Sequence, residues 1–234
     1  MRALALLFAL LGGCATGSAP GPSAASILAE MKAACGGEAW RDVQGWHETG
    51  AVEMPGAPPM THEVWHDMHG LKTAMVSRVE GRVVRHAGFN GSVYWQVGPD
   101  GKSQVGQDPA RVRRQRRDAY LSSSGWFLPE RFPATIVIAG TEAAEGRRFD
   151  VLRITPADAE PFDLWVDRES HRIARIVAGD EYVHLAEYRM FGGICSATRG
   201  RQGDSDPAHE IVLHVESVET ATPIPAATFE PQAP

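Results

Sequence analysis

The residues His62-Glu63-Val64-Trp65-His66 form a His-Glu-x-x-His pattern, the sharpest candidate for chemistry in the chain. In zinc hydrolases a helix places two such histidines one turn apart on one face, and the glutamate acts as general base toward zinc-bound water. His62 and His66 would then be metal ligands and Glu63 the base. The sequence therefore raises a zinc hydrolase as one hypothesis.

The surroundings of this motif favour a strand over a helix. Pro58 and Pro59 precede the motif and Gly70 follows it, which leaves room for only a short helix. On a strand, at ~3.3 Å per residue, His62 and His66 would lie roughly 13 Å apart and could not share one ion. We therefore predict plain strand residues and no metal, with a histidine–metal site at His62 and His66 as the alternative.

A dense group of arginines follows a helix-start signal. Asp108 is a candidate N-cap and Pro109 suits the first helical position, so a helix is predicted up to about position 122. Within it, Arg113, Arg114 and Arg117 are candidate contacts to anionic lipid headgroups. Each basic residue near such a charged surface contributes about 1 kcal/mol to the binding free energy. The alternative is a solvated helix face balanced by the acidic body.

The N-terminus carries the pattern of an export signal. Arg2 is followed by an apolar run over 3–11 and then by Gly12-Gly13-Cys14. This run is far shorter than the roughly 20 residues that cross a bilayer as a helix, so cleavage is predicted. The segment ending at Cys14 resembles the bacterial lipobox, which implies lipidation of the Cys14 sulfur and a membrane anchor of two or more acyl chains.

These features divide the chain into a signal peptide at 1–13, a lipidated flexible tether at 14–25 and a folded domain at 26–234. The tether is rich in Ala, Gly, Ser and Pro and has no charged residue. The residue after the cysteine is Ala15 rather than aspartate, which by resemblance to enterobacterial sorting favours the outer membrane, facing the periplasm. The expected location is thus the cell envelope.

The charge of the chain argues against nucleic-acid binding, and its cysteine content leaves one disulfide possible. The chain has 23 basic and 29 acidic residues, a net charge of −6, and loss of Arg2 with the signal peptide would make it −7. An acidic body is a poor nucleic-acid ligand, because neutralising phosphates requires clustered positive charge. With Cys14 acylated, only Cys35 and Cys195 remain, and in an oxidising compartment they could pair or stay free.

The hydrophobic pattern predicts a mainly β domain with one N-terminal helix and one inserted helix. Apolar residues recur at helical spacing from Ile27 to Cys35, with Ser26 as candidate cap and Gly36-Gly37 as the stop. Period-two alternation and turn residues predict short antiparallel strands. These strands span 44–54, 61–69, 71–79, 82–88, 92–97, 135–139, 147–155, 162–167, 171–177, 181–191 and 209–218.

Several short sequence segments resemble the outer-membrane lipoprotein-sorting (LolA/LolB-like) superfamily, in particular its uncharacterised proteobacterial lipoprotein branch. The resemblance implies a curved antiparallel half-barrel with helices over its open side and an apolar concave face that holds acyl chains. The matching segments are the helix and Gly-Gly over 27–40, Gly88-Phe89-Asn90-Gly91 with Tyr94-Trp95, Ala119-Tyr120-Leu121 with Trp126-Phe127-Leu128-Pro129, the hairpin over 164–175, Glu187-Tyr188-Arg189 with Gly192-Gly193, and Phe229-Glu230-Pro231.

The leading functional hypothesis is a non-catalytic, membrane-anchored lipoprotein that binds a lipid or acyl chain and needs no cofactor. The alternatives are an envelope interaction or scaffold module with a filled core, and the zinc hydrolase described above. The apolar, proline-rich segment 54–60 is either a membrane-inserting loop or a long hairpin turn. The sequence does not identify a protein partner.

Overall fold

The computed structural model describes residues 21–98 and 100–231, which contain two α-helices, four short 3-10 segments and thirteen strands. Helix α1 spans Ala24–Ala34 and helix α2 spans Pro109–Ser122. Cys14, the predicted signal peptide and the predicted tether up to position 20 lie outside the described residues. No helix within the described ranges is both long and apolar enough to cross a membrane.

All thirteen strands form one antiparallel sheet. Its order is β6-β5-β4-β3-β2-β1-β13-β12-β11-β10-β9-β8-β7, so the two ends of the sheet remain unpaired with each other. The strands are β1 Trp46–Glu53, β2 Met60–His66, β3 Thr73–Val79, β4 Arg82–Phe89, β5 Tyr94–Val97, β6 Ser103–Gly106, β7 Ala134–Ala144, β8 Arg147–Pro156, β9 Phe162–Asp167, β10 Ile173–Ala178, β11 Glu181–Phe191, β12 Ile194–Gly203 and β13 Ile211–Glu219.

The sheet consists of two meanders joined at a single seam between β1 and β13. His47 lies opposite Glu219 at one end of the seam, and Glu53 lies opposite Val212 at the other. The register shifts between Thr49 and Gly50. A Cβ atom on Gly50 would lie 1.9 Å from the backbone oxygen of His214, so only glycine allows the two strands to approach this closely.

Both predicted helices are present, and local sequence explains where they begin. Ser23, not Ser26, caps α1, because its side chain accepts a hydrogen bond from the Ser26 backbone while Ser26 reciprocates as the third helical residue. Helix α1 thus begins at Ala24, inside the range predicted as tether. In α2, the Asp108 side chain accepts from the Arg111 backbone and Pro109 occupies the first position, as predicted.

The helices cover one face of the sheet, which we call the inner face. Ile27 and Met31 of α1 and Tyr120 of α2 are buried against it. Strand alternation supplies its core residues, including Leu152, Ile154, Phe162, Leu164 and Val166. The opposite, outer face has a smaller cluster in which Phe229 packs on Ala74 and Trp95, and the Trp95 indole donates to the Phe229 carbonyl at 2.8 Å.

Cys35 and Cys195 lie together beside the seam. Cys35 follows α1 and Cys195 belongs to β12, and their Cα atoms are 4.7 Å apart in a disulfide arrangement. The Cys195 backbone N–H also donates to the Cys35 carbonyl at 3.2 Å. Pairing was one of the two outcomes left open by the sequence, and its occurrence in solution is a prediction tested below.

Candidate functional site

An apolar cavity, here called the inner chamber, lies between the helices and the inner face of the sheet. Its volume is about 250 Å³. It receives side chains from α1, α2 and strands on both sides of the seam, so no contiguous segment of sequence encodes it. The apolar residues that line it include Met31, Trp40, Trp46, Leu121, Trp126, Phe127, Ile176, Leu185, Leu213 and Val215.

A second cavity, here called the mouth chamber, lies between α2 and the inner face of β2–β5. Its volume is also about 250 Å³. Its walls are more polar, with Arg85 and Gln96 from the sheet and Arg111 from α2, all three exposed. His66 and Ser122 line both chambers. The two chambers are therefore neighbours, and together they reach the size of about 300–1,000 Å³ that is typical of ligand pockets.

The inner wall also contains one buried polar group of residues. The Trp46 indole donates to Glu48 Oε2 at 3.2 Å, and His62 Nε2 lies 3.5 Å from Glu48 Oε1. The side chains of Glu48 and His62 are only 18% and 10% exposed. A carboxylate thus faces the inner end of the cavity, and its contacts are an indole and an imidazole.

His66 is held neutral by its surroundings. It is 7% exposed, and burial lowers the pKa of its imidazole from 6.5 to about 4. Its Nδ1 atom, the Nδ1 atom of His62 and the indole nitrogen of Trp126 are all buried without a hydrogen-bond partner among the described residues. Native structures rarely leave such groups unpaired. The wall near Glu48 thus contains hydrogen-bonding groups that lack a partner within the described residues.

The His-Glu-x-x-His segment is a strand and does not form the geometry of a zinc hydrolase. Because side chains alternate, His62 and His66 lie on the inner face while Glu63 lies on the outer face. Glu63 there accepts from Arg78 at 2.6 Å. The described residues contain no group of three His, Cys, Asp or Glu side chains arranged for a metal. Strand geometry thus favours the predicted plain strand residues over the metal-site alternative.

The three predicted headgroup contacts on α2 divide into two kinds. Arg113 and Arg114 are exposed. Arg117 is buried, with a side chain 6% exposed, and it lies 2.8 Å from Asp118, 3.4 Å from Glu181 and 3.6 Å from Glu160. The Arg117 guanidinium therefore already has carboxylate partners in its own chain, whereas Arg113 and Arg114 are exposed, and headgroup contact by these arginines remains a prediction.

The apolar segment after β1 forms the hairpin connection to β2. Pro55, Pro58 and Pro59 are exposed, and Met54 is 37% exposed. The structure therefore agrees with a hairpin turn that presents apolar side chains to solvent. Insertion of this turn into a bilayer remains a prediction.

The six tryptophans do not all belong to the cavity. Trp40, Trp46 and Trp126 line the inner chamber, and Trp40 stacks on Trp46 with ring centroids 6.5 Å apart. The other three lie on the outer face. There Trp65 stacks on a histidine, Trp165 lies under an arginine, and Trp95 is covered by the C-terminal segment. Aromatic content alone therefore did not identify the site.

Sequence reasoning missed Glu48, Ser122 and Arg85 as site residues. Period-two alternation from Trp46 places Glu48 on the same face two residues later, so the signal was present once the core-facing side was known. Arg85 and Ser122 had no such signal, because their position depends on where α2 crosses the sheet. That crossing is set by tertiary packing.

Comparison with known proteins identifies the fold. A LolA superfamily protein from Nitrosomonas europaea aligns over 90% of this chain and 98% of its own, at 12% identity and a TM-score of 0.60. A DUF1329 family protein from Desulfovibrio piger aligns over 88% and 95%, at 11% identity and a TM-score of 0.59. A Vibrio parahaemolyticus domain named for outer membrane lipoprotein sorting aligns over 87% and 94%, at 11% identity and 0.58.

At these identities the similarity establishes the fold and nothing finer. No protein-family model and no curated protein sequence matches the chain. The predicted LolA-like curved half-barrel, with one N-terminal helix and one inserted helix, is confirmed.

Proposed function

We propose that this chain is a non-catalytic lipoprotein of the bacterial cell envelope whose inner chamber binds a lipid or acyl chain. The single observation that carries the proposal is the chamber itself, an apolar space of about 250 Å³ beneath α1 and α2 that adjoins a more polar space of similar volume. Burial of a hydrocarbon chain there is favourable by about 25 cal/mol for each Å² removed from water.

Two further observations support this function. Solved proteins with the same fold include one named for outer membrane lipoprotein sorting. Cys14 follows a signal that resembles the lipobox, and this favours a lipid anchor and an envelope location. A zinc hydrolase is disfavoured because the histidines and the glutamate of its motif lie on opposite faces of β2.

The first experiment is native mass spectrometry of the chain expressed from Ala15, which retains every helix and strand of the structure. The expected result is a protein with a bound mass equal to a lipid or acyl species. The matched variants are Gly200→Leu, which places a side chain into the inner chamber, and Gly140→Leu, which makes the same change where nothing lies within 4 Å.

Loss of the bound mass in Gly200→Leu but not in Gly140→Leu would support binding in the chamber. A folded chain without any bound mass, also after incubation with lipid vesicles, would contradict the proposal and favour the scaffold alternative. A stoichiometric zinc adduct lost in His62→Ala would instead favour the hydrolase.

The anchor requires a separate experiment, because Cys14 lies outside the described residues. We expect the full chain to incorporate labelled palmitate and to sediment with membranes, and Cys14→Ser to lose the label. Label retained in Cys14→Ser would contradict the proposed lipidation site.

A further inference from the structure

The mouth chamber contains two arginines on opposite walls. Arg85 projects from the inner face of β4, and Arg111 projects from the first turn of α2. Neither guanidinium forms an ion pair within the described ranges, although Arg111 lies over the ring of Tyr94 at 3.9 Å. Asp118 also lines this chamber, but its carboxylate already contacts Arg117 at 2.8 Å. In a chain of net charge −6, the two remaining cations, neither with a carboxylate partner, favour an anionic ligand group in this chamber.

The inner chamber has the opposite character. Glu48 is the one acidic residue among those that line it, beside His66 and His171, and its carboxylate would repel a second anion brought into the same apolar space. An anionic group is therefore favoured at the mouth and disfavoured at the inner end. A ligand with one charged end and one apolar end would bind in a single orientation, with its chain inward and its charge outward.

Between the two ends lie hydrogen-bonding groups that have no partner. His66 is more than nine-tenths buried, lines both chambers, and has an unpartnered Nδ1. A neutral imidazole offers one N–H donor and one acceptor, which suits a carbonyl or a hydroxyl group. The Trp126 indole nitrogen, a donor only, also lies unpartnered on the inner chamber wall.

From this arrangement we infer the class of ligand, an inference that rests on the proposed function. The ligand is an acyl lipid with a phosphate headgroup: its chain lies in the inner chamber, its ester linkage contacts His66 at the boundary, and its phosphate binds Arg85 and Arg111 at the mouth. Phosphate and guanidinium groups match in geometry and charge, which makes arginine a preferred phosphate ligand.

The experiment compares two ligands with the same acyl chain, lysophosphatidylglycerol and monoacylglycerol, of which only the first carries a phosphoglycerol headgroup. Binding to the delipidated chain from Ala15 is followed by the fluorescence of the tryptophans that line the inner chamber. The test variant is Arg85→Gln with Arg111→Gln. The matched control is Arg113→Gln with Arg114→Gln, which removes two exposed arginines of α2 that do not line either chamber.

We expect the unaltered chain to prefer lysophosphatidylglycerol by about tenfold or more, since charge-assisted hydrogen bonds are roughly twice as strong as neutral ones. The test variant should lose this preference and keep its affinity for monoacylglycerol, and the control should keep both. Inorganic phosphate in millimolar amounts should not displace the lipid. Displacement would instead identify a site for free phosphate and overturn the assignment of a lipid headgroup.

The role of His66 is tested with His66→Leu and an ether-linked analogue of the lysolipid. The variant should bind the ester-linked lipid more weakly and the ether-linked lipid unchanged, because only the ester has a carbonyl. Equal binding of monoacylglycerol and lysophosphatidylglycerol, or an unchanged preference in the arginine variant, would overturn this inference alone. Failure of both lipids to bind would overturn the proposed function as well.

Discussion

Gly200→Leu measures whether the inner chamber is hollow, independently of any ligand. A Cβ atom on Gly200 would lie 3.5 and 3.6 Å from two atoms of Leu213 and 3.7 Å from Val183, which are ordinary van der Waals contacts. The rest of the leucine side chain would then extend into the inner chamber, which Gly200 and Leu213 both line.

The magnitude follows from burial. Complete burial of a leucine side chain contributes about 1.5–3 kcal/mol. Replacement of a strand glycine adds about 0.5–1 kcal/mol through the backbone entropy of the unfolded state. Partial crowding of the chamber offsets some of this gain. We expect a net stabilisation of about 2 kcal/mol for the ligand-free protein, which is a rise in Tm of about 4–8 °C for a chain of this size.

The assay is thermal unfolding of the delipidated protein, followed by circular dichroism. Gly140→Leu is the control, because it makes the same backbone change in β7 without filling a cavity. It should give only the backbone part of the gain. If Gly200→Leu unfolds at a lower temperature than the unaltered chain, the chamber is already filled by side chains and the reasoning from its volume is refuted.

Three further predictions concern stability. Reduction of the Cys35–Cys195 disulfide, which joins residues 160 positions apart, should lower the free energy of unfolding in urea by about 2–5 kcal/mol. If the reductant leaves the free energy of unfolding unchanged, the two cysteines are not paired. Burial lowers the pKa of His66 to about 4, so between pH 6.5 and 4 its imidazole takes up a proton mainly in the unfolded state. The free energy of unfolding should therefore fall by about 3 kcal/mol over this range, and His66→Leu should remove this part of the pH dependence. Arg117→Met should lower the free energy of unfolding by about 2 kcal/mol, because it leaves three carboxylates without their cation. The control Arg113→Met, at an exposed position, should change it by no more than about 0.5 kcal/mol, and equal effects of the two variants would show that burial of Arg117 is unimportant.

The sequence predicted most elements of this fold, because apolar and polar residues alternate clearly along most strands and turn residues separate one strand from the next. Two strands were missed for identifiable reasons. β6 has only four residues, Ser103–Gly106. β12, Ile194–Gly203, has arginines on its outward side and Gly200 on its inward side, so it lacks the apolar alternation that indicates a strand.

The site was less accessible to sequence reasoning than the fold. The seam between β1 and β13 joins positions about as far apart as the domain allows, and no local pattern encodes such a pairing. His62 and His66 were recognised as notable because of their spacing in a metal motif. Their actual placement on the inner wall follows from strand alternation, which the metal motif does not require.

The position of the seam has a consequence for the order in which the molecule forms. Protein synthesis proceeds from the N-terminus, so β1 exists long before β13, which begins at Ile211. Until then, one side of β1 is an open strand edge, which is a template for pairing with other chains. A nascent chain therefore needs protection of β1 until its last strand is present, and truncation before Ile211 should yield aggregates rather than a smaller folded domain.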